Sequence, residues 1–137
     1  MSSASDYLEN KVLDHTLRVA AYTQPAGLFI GLFNNTSTAT AANLEAGIIT
    51  DETSTSGTGY QRKAVTFSAA ANGSATTSAV VTFDAATASW GTLTHIAILD
   101  AQTGGNVLYW GELATAKTIA TSDIFQINAG NLTVSLA

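Results

Sequence analysis

Ala64-Val65-Thr66-Phe67-Ser68-Ala69-Ala70, Asn72-Gly73 and Val80-Val81-Thr82-Phe83-Asp84-Ala85-Ala86 set the fold class of this chain. Val-Thr-Phe-x-Ala-Ala occurs twice, with Asn-Gly between the copies. Apolar and polar residues alternate, so each run has one apolar face and one face of Thr and Ser, the pattern of half-buried antiparallel strands. Asn-Gly supplies the positive φ angles of a tight hairpin. The stretch carries no reactive groups, which points to a structural or binding protein rather than an enzyme.

Downstream, Trp90-Gly91 leads into a strand over Thr92 to Asp100 that contains Leu93, His95, Ile96 and Ile98. Asp100 to Asn106, with Gly104 and Gly105, is a turn, and Val107 to Leu113 returns as the partner strand. Lys117 to Ile119, Asp123 to Ile127 and Leu132 to Leu136 read as short strands, with a turn at Asn128-Ala129-Gly130-Asn131. Upstream, Pro25 precedes the apolar run Ala26 to Phe33. That run is apolar on both faces, as in a central strand or one covered by a helix, and its glycines suggest close approach of another group. Residues 34–59 lose periodicity, apart from an apolar island at Leu44 to Ile49, and read as a long loop that reaches a partner or forms a surface excursion.

Residues 6–20 read as a helix. Ser5 or Asp6 caps it, Glu9 strengthens the start, and Asp14 and Arg18 form a weak pair. Leu8, Val12, Leu13, Leu17 and Ala20 fall on one stripe, which either packs on the chain's own sheet or docks on a partner. The fold class is therefore mainly β: an antiparallel β-sandwich or jelly-roll-like barrel with one N-terminal α-helix. We expect a single domain over 1–137, with the sandwich over 26–137.

Of the 137 residues, 46% are hydrophobic and only 11% charged, against about 25% charged in typical domains. Thr, Ser, Ala and Gly replace the missing charge. This suits either an assembly component or a plain β-rich domain. The net charge is −5, with five Lys plus Arg, too few cations for general nucleic-acid binding or for an anionic membrane surface. No apolar run approaches the roughly 20 residues of a membrane span. The start, Met1 to Asp6, has no signal-peptide pattern, so the three glycosylation matches at Asn34, Asn72 and Asn131 carry no weight.

Chemistry-bearing constellations are sparse. There are no cysteines. His15 reads as a helix-surface residue and His95 as a core-edge residue bonded to a neighbour. Neither has a paired ligand, and a zinc site needs three or four, so neither metal nor cofactor is expected. Asp51, Glu52, Asp84, Asp100, Glu112 and Asp123 read as solvated turn or strand-end residues. The glycines at 57, 59, 104 and 105 lack the strand–loop–helix context of a phosphate cradle. Tyr60, Trp90, Tyr109 and Trp110 stack on sugars if exposed, or fill the core.

Four segments carry a family resemblance: Ser5 to His15, Gly59-Tyr60-Gln61-Arg62-Lys63-Ala64-Val65-Thr66-Phe67, Trp90 to Ala101, and Thr103 to Leu108. Together they resemble a family of small tailed-phage virion proteins, usually labelled tail-fibre or structural proteins. The resemblance implies a virion component, assembled in the host cytoplasm, with no catalytic residues to transfer. A compact chain of this size has a radius of gyration of about 14 Å, so alone it is a knob or clamp rather than a shaft. A capsid decoration (cement) protein, commonly trimeric, bound to the major capsid protein, is the leading expectation. A tail or neck appendage that binds a host receptor, for instance a surface glycan, is the second, and a polysaccharide hydrolase the third. Partner contacts are expected at Tyr7, Leu8, Val12, Leu44, Ile48 and Ile49.

Overall fold

Pro25 ends the lead-in to the apolar run, and the run forms β2 (Phe29–Asn34) at the heart of the protein. The computed structural model describes residues 2–34 and 40–136. The Asn34-Asn35-Thr36 match and the start of the expected loop fall partly on residues 35–39, outside the described residues. The remaining elements are β1 (Ser3–Ala4), α1 (Asp6–Leu17), α2 (Thr40–Glu45), β3 (Lys63–Ala64), β4 (Ser74–Thr76), β5 (Val81–Thr82), β6 (Gly91–Leu99), β7 (Val107–Ile119), β8 (Gln126–Ile127) and β9 (Thr133–Ser135). The main sheet has the order β1-β7-β6-β2-β3, and all its pairings are antiparallel. Two further ribbons, β4–β9 and β5–β8, are also antiparallel. The fold is mainly β and sandwich-like. It does not close into a barrel, so the jelly-roll-like barrel alternative is corrected.

The period-two alternation of the central strands sends their apolar side chains to both faces. Ile30, Leu32 and Ile96 join Tyr60, Val65, Val81, Phe83, Trp90 and Phe125 in the largest buried cluster. Phe33, Ala97, Leu99 and Val107 pack with Leu44 of α2 in a second. Ala4, Leu8 and Leu108 form a third beneath α1.

The Asn72-Gly73 turn forms as expected, with φ of 54° and 74°. Ala71 N–H donates to the Ser74 carbonyl at 2.9 Å. The arms stay paired as far as Thr66 and Ser78, with Ser68 N–H donating to the Thr76 carbonyl and Ser78 N–H to the Thr66 carbonyl, both at 2.9 Å, but the second Val-Thr-Phe copy leaves the hairpin. Ala64 pairs with Phe29, while Val81 pairs with Ile127. The C-terminal segment takes the second copy instead: Phe83 N–H donates to the Phe125 carbonyl at 2.9 Å, and Val81 and Phe83 are buried with Phe125.

Three further expectations change. α1 stops at Leu17 rather than near residue 20, because the chain reverses: Arg18 and Ala20 N–H groups both donate to the Asp14 carbonyl, and Val19 takes a φ of 56°. The stripe on α1 is therefore buried only at its start, with Leu8 at 5% exposure against 51% for Leu13 and 76% for Leu17. There is a second helix, α2, inside the expected loop, too short for periodicity to reveal. The rest of that segment is laid along β2: Asn34 N–H donates to the Asp51 carbonyl, and Thr53 N–H to the Leu32 carbonyl.

Candidate functional site

Asp51 and Glu52 are structural rather than solvated. Asp51 is buried, and its Oδ2 accepts from Thr40 Oγ1 at 3.0 Å and Asn43 Nδ2 at 3.3 Å, fixing the start of α2. Glu52 meets Arg62 in a fork: Nε to Oε1 at 2.8 Å and Nη2 to Oε2 at 2.7 Å. Arg62 Nη1 also donates to the carbonyls of Ala101 and Gly104 at 2.8 and 2.7 Å. Tyr60 Oη donates to Glu52 at 2.8 Å and accepts from Leu32 N–H at 3.0 Å. Burial opposes the Arg62 charge, but the hydrogen bonds and attraction of Glu52 outweigh it and hold the guanidinium above its usual value. Burial first, and then the Glu52 charge, push the Tyr60 hydroxyl far above the ordinary tyrosine range. Every strong group here is spent on another group of the chain, so the network is a fastening and not a reactive centre.

A second constellation is left facing outward. Register places His95 of β6 opposite Glu112 of β7, and Ala97 opposite Trp110. Alternation puts His95, Trp110 and Glu112 on the helix-bearing face of the sheet. With Ser3 of β1 and Ala41 of α2 they line a groove of about 440 Å³. Trp110 Nε1 donates to Glu45 Oε2 of α2 at 2.5 Å, and the His95 ring lies 6.3 Å from it, tilted by 42°. His95 is buried, and its Nδ1 lies 2.9 Å from Thr94 Oγ1. Among the described residues no group bonds its other ring nitrogen, and the exposed Glu112 carboxylate has no ion-pair partner. Glu45 also stands beside Asp6 and Glu9, with ligand oxygens of the three within 4.8 Å of one another. This corner of the surface is therefore negatively charged.

The six expected contact residues do not form one surface. Leu8 and Leu44 are buried within the chain, the latter completely. Tyr7 and Val12 are half-buried against the third cluster and Ile49 against the second. Ile48 is exposed. The apolar groups that do face out at this end are Leu13, Leu17 and Val19, the last 89% exposed. Of the aromatics, Tyr60 and Trp90 are core residues, whereas Tyr109 and Trp110 are half-buried. His15 accepts from Tyr22 N–H through Nδ1 at 3.2 Å. Among the described residues no helix is long and apolar enough to cross a membrane. Sequence reasoning named His95 and Trp110 separately but missed Glu112 and Ser3 as their neighbours.

The family model described as "Podophage GP4 fiber I protein gp80" matches residues 3–135, nearly the whole chain. No curated protein matches it.

Proposed function

Because the chain belongs to the family of the podophage GP4 fiber I protein gp80, and so is a structural protein of a tailed-phage virion, we propose that it is a non-enzymatic fibre component carried on the tail or neck. The family's description as a fiber protein carries this reading and favours it over a cement protein spread across the shell. The Arg62–Glu52 fastening supports the non-enzymatic part, since the strongest polar groups are consumed inside the fold.

A fibre needs length that a domain of about 14 Å radius of gyration lacks, so the chain acts joined to other virion proteins and to copies of itself, with a homotrimer the expected assembly. The attachment surface is the outward end of α1. Leu13 and Leu17 are open there, next to half-buried Tyr7 and Val12, while Ile48 and Ile49 offer a second apolar edge after α2. Leu8 and Leu44 act from beneath by holding the two helices in place. Immunogold labelling of particles with antibody to this chain tests the location. Gold at the tail or neck is expected, and gold distributed over the icosahedral shell would restore the cement reading.

A further inference from the structure

The geometry points to the groove of His95, Trp110, Glu112 and Ser3 as a saccharide site that favours a sugar carrying a cationic nitrogen. Trp110 is half-buried with its ring held from two sides, by the Glu45 carboxylate at its N–H and by the His95 ring. Trp110 packs on the second cluster on one side and lines the groove on the other, and an aromatic held in this way is the kind of surface on which the C–H face of a pyranose stacks at little entropic cost. A carboxylate accepting from the indole N–H also draws negative charge toward the ring system, which strengthens attraction of a cation to its face. The same groove is lined by the exposed Glu112 carboxylate, by His95 and by Ser3, side chains able to donate to or accept from sugar hydroxyls.

No lysine or arginine lines the groove among the described residues. With Glu45, Asp6 and Glu9 beside it, the site repels phosphate, sulfate and acidic sugars and attracts a cation. The volume of about 440 Å³ lies in the range of small-ligand sites, roughly 300–1,000 Å³, and exceeds what one lysine side chain would fill, which favours a sugar over a peptide cation. The fibre reading supplies only the setting, contact with a host surface; binding itself is a property of the isolated protein.

Isothermal titration calorimetry of the purified full chain at neutral pH compares two probes: the methyl glycoside of N,N,N-trimethylglucosamine, whose charge does not titrate, and that of N-acetylglucosamine. The expected result is binding of the cationic sugar, with the acetylated one about tenfold weaker. Glu112→Gln, at an exposed position, should weaken the cationic sugar about tenfold and the neutral one far less, since the amide oxygen still accepts from a sugar hydroxyl. Trp110→Ala should abolish both, with circular dichroism confirming the fold. Equal affinity for the two sugars, no binding of either, or tighter binding of Nα-acetyl-lysine amide than of the cationic sugar would each overturn the proposal. Immunogold on the shell with sugar binding intact would remove the fibre reading alone.

Discussion

Replacing Arg62 with methionine removes the only cation that meets Glu52 among the described residues while keeping most of the apolar stem. The Arg62 and Glu52 side chains are 3% and 16% exposed, so water does little to replace the partner. The Glu52 carboxylate is left with the Tyr60 hydroxyl as its donor, and the Ala101 and Gly104 carbonyls lose theirs. Breaking a buried pair from one side costs about 3–5 kcal/mol, from a total stability of about 5–15 kcal/mol for a domain. The two freed carbonyls lie in a solvent-facing turn and add little. With a urea m-value of about 2 kcal/mol/M, the midpoint should fall by about 2 M. Trp90 reports it: the indole is 2% exposed and stands edge-on to Tyr60 at 5.4 Å, so its fluorescence follows this part of the core. Arg62→Met with Glu52→Leu should recover most of the loss, since an apolar pair of similar volume often matches a buried ion pair. A single Arg62→Met variant with a midpoint within about 0.5 M of the parent would refute the fastening role.

Other positions give equally direct tests. Val19→Gly should raise stability by about 0.5–1 kcal/mol in urea unfolding, because a β-branched residue at φ 56° is strained and its side chain buries almost nothing. Gly73→Ala should cost about 1–3 kcal/mol, read as a lower thermal midpoint, since a Cβ there would sit 2.9 Å from the Leu136 carbonyl at a φ of +74°. Leu44→Ala should cost about 2–5 kcal/mol by the same measurement, as expected of a fully buried leucine, whereas a loss under about 0.5 kcal/mol would mean that α2 does not belong to the core. The Tyr60 hydroxyl has its folded-state pKa raised. Its stabilising contribution is therefore complete below the unfolded value near pH 10 and is lost as pH rises beyond it. Urea midpoints should fall above about pH 10, and Tyr60→Phe should flatten that limb while lowering stability at neutral pH by about 1–3 kcal/mol. Tyr109, also raised by burial, keeps some slope in the variant.

What was legible in the sequence is what neighbours along the chain decide. The Asn72-Gly73 turn follows from two residues that accept positive φ, and the Ser5 cap of α1 from one side chain, whose oxygen accepts from Leu8 N–H. The hairpin of Thr92 to Asp100 with Val107 to Leu113 announced itself by alternation and by Gly104-Gly105, whereas Lys117 to Ile119, read as a separate short strand, continues the same strand β7. Pairings between distant segments were not legible. Nothing local tells Val81 to choose Ile127, or Ser74 to choose Ser135. Asp51 and Glu52 looked solvated because they sit among Thr, Ser and Gly, and their partners stand eight to eleven residues away. The end of α1 was overrun because Val19 occupies a position where glycine is the usual signal.

The candidate groove shows the same division. His95 and Trp110 drew notice as residue types, but their meeting with Glu112 depends on register. Leu93 pairs with Lys117 and His95 with Glu112, so two steps along β6 correspond to five along β7. A bulge of that size cannot be counted from the sequence, and such irregularities gather beside binding sites. Which part of the α1 stripe turns inward was hidden for a simpler reason. An amphipathic helix looks the same whether its apolar side meets its own sheet or a partner, and here Leu8 of α1 faces inward while Leu13 and Leu17 are exposed.

The most direct test of the account is the incorporation of Leu13→Ser/Leu17→Ser protein into phage particles, measured by quantitative mass spectrometry of purified virions. The isolated variant should keep the parent's Trp90 fluorescence and urea midpoint, because both leucines are exposed. If the outward end of α1 joins this chain to the virion, particles will carry it at less than about a tenth of the parental copy number, a loss of at least ~1.4 kcal/mol in attachment. Particles carrying the variant at the parental copy number would contradict the account and move the attachment surface elsewhere on the fold.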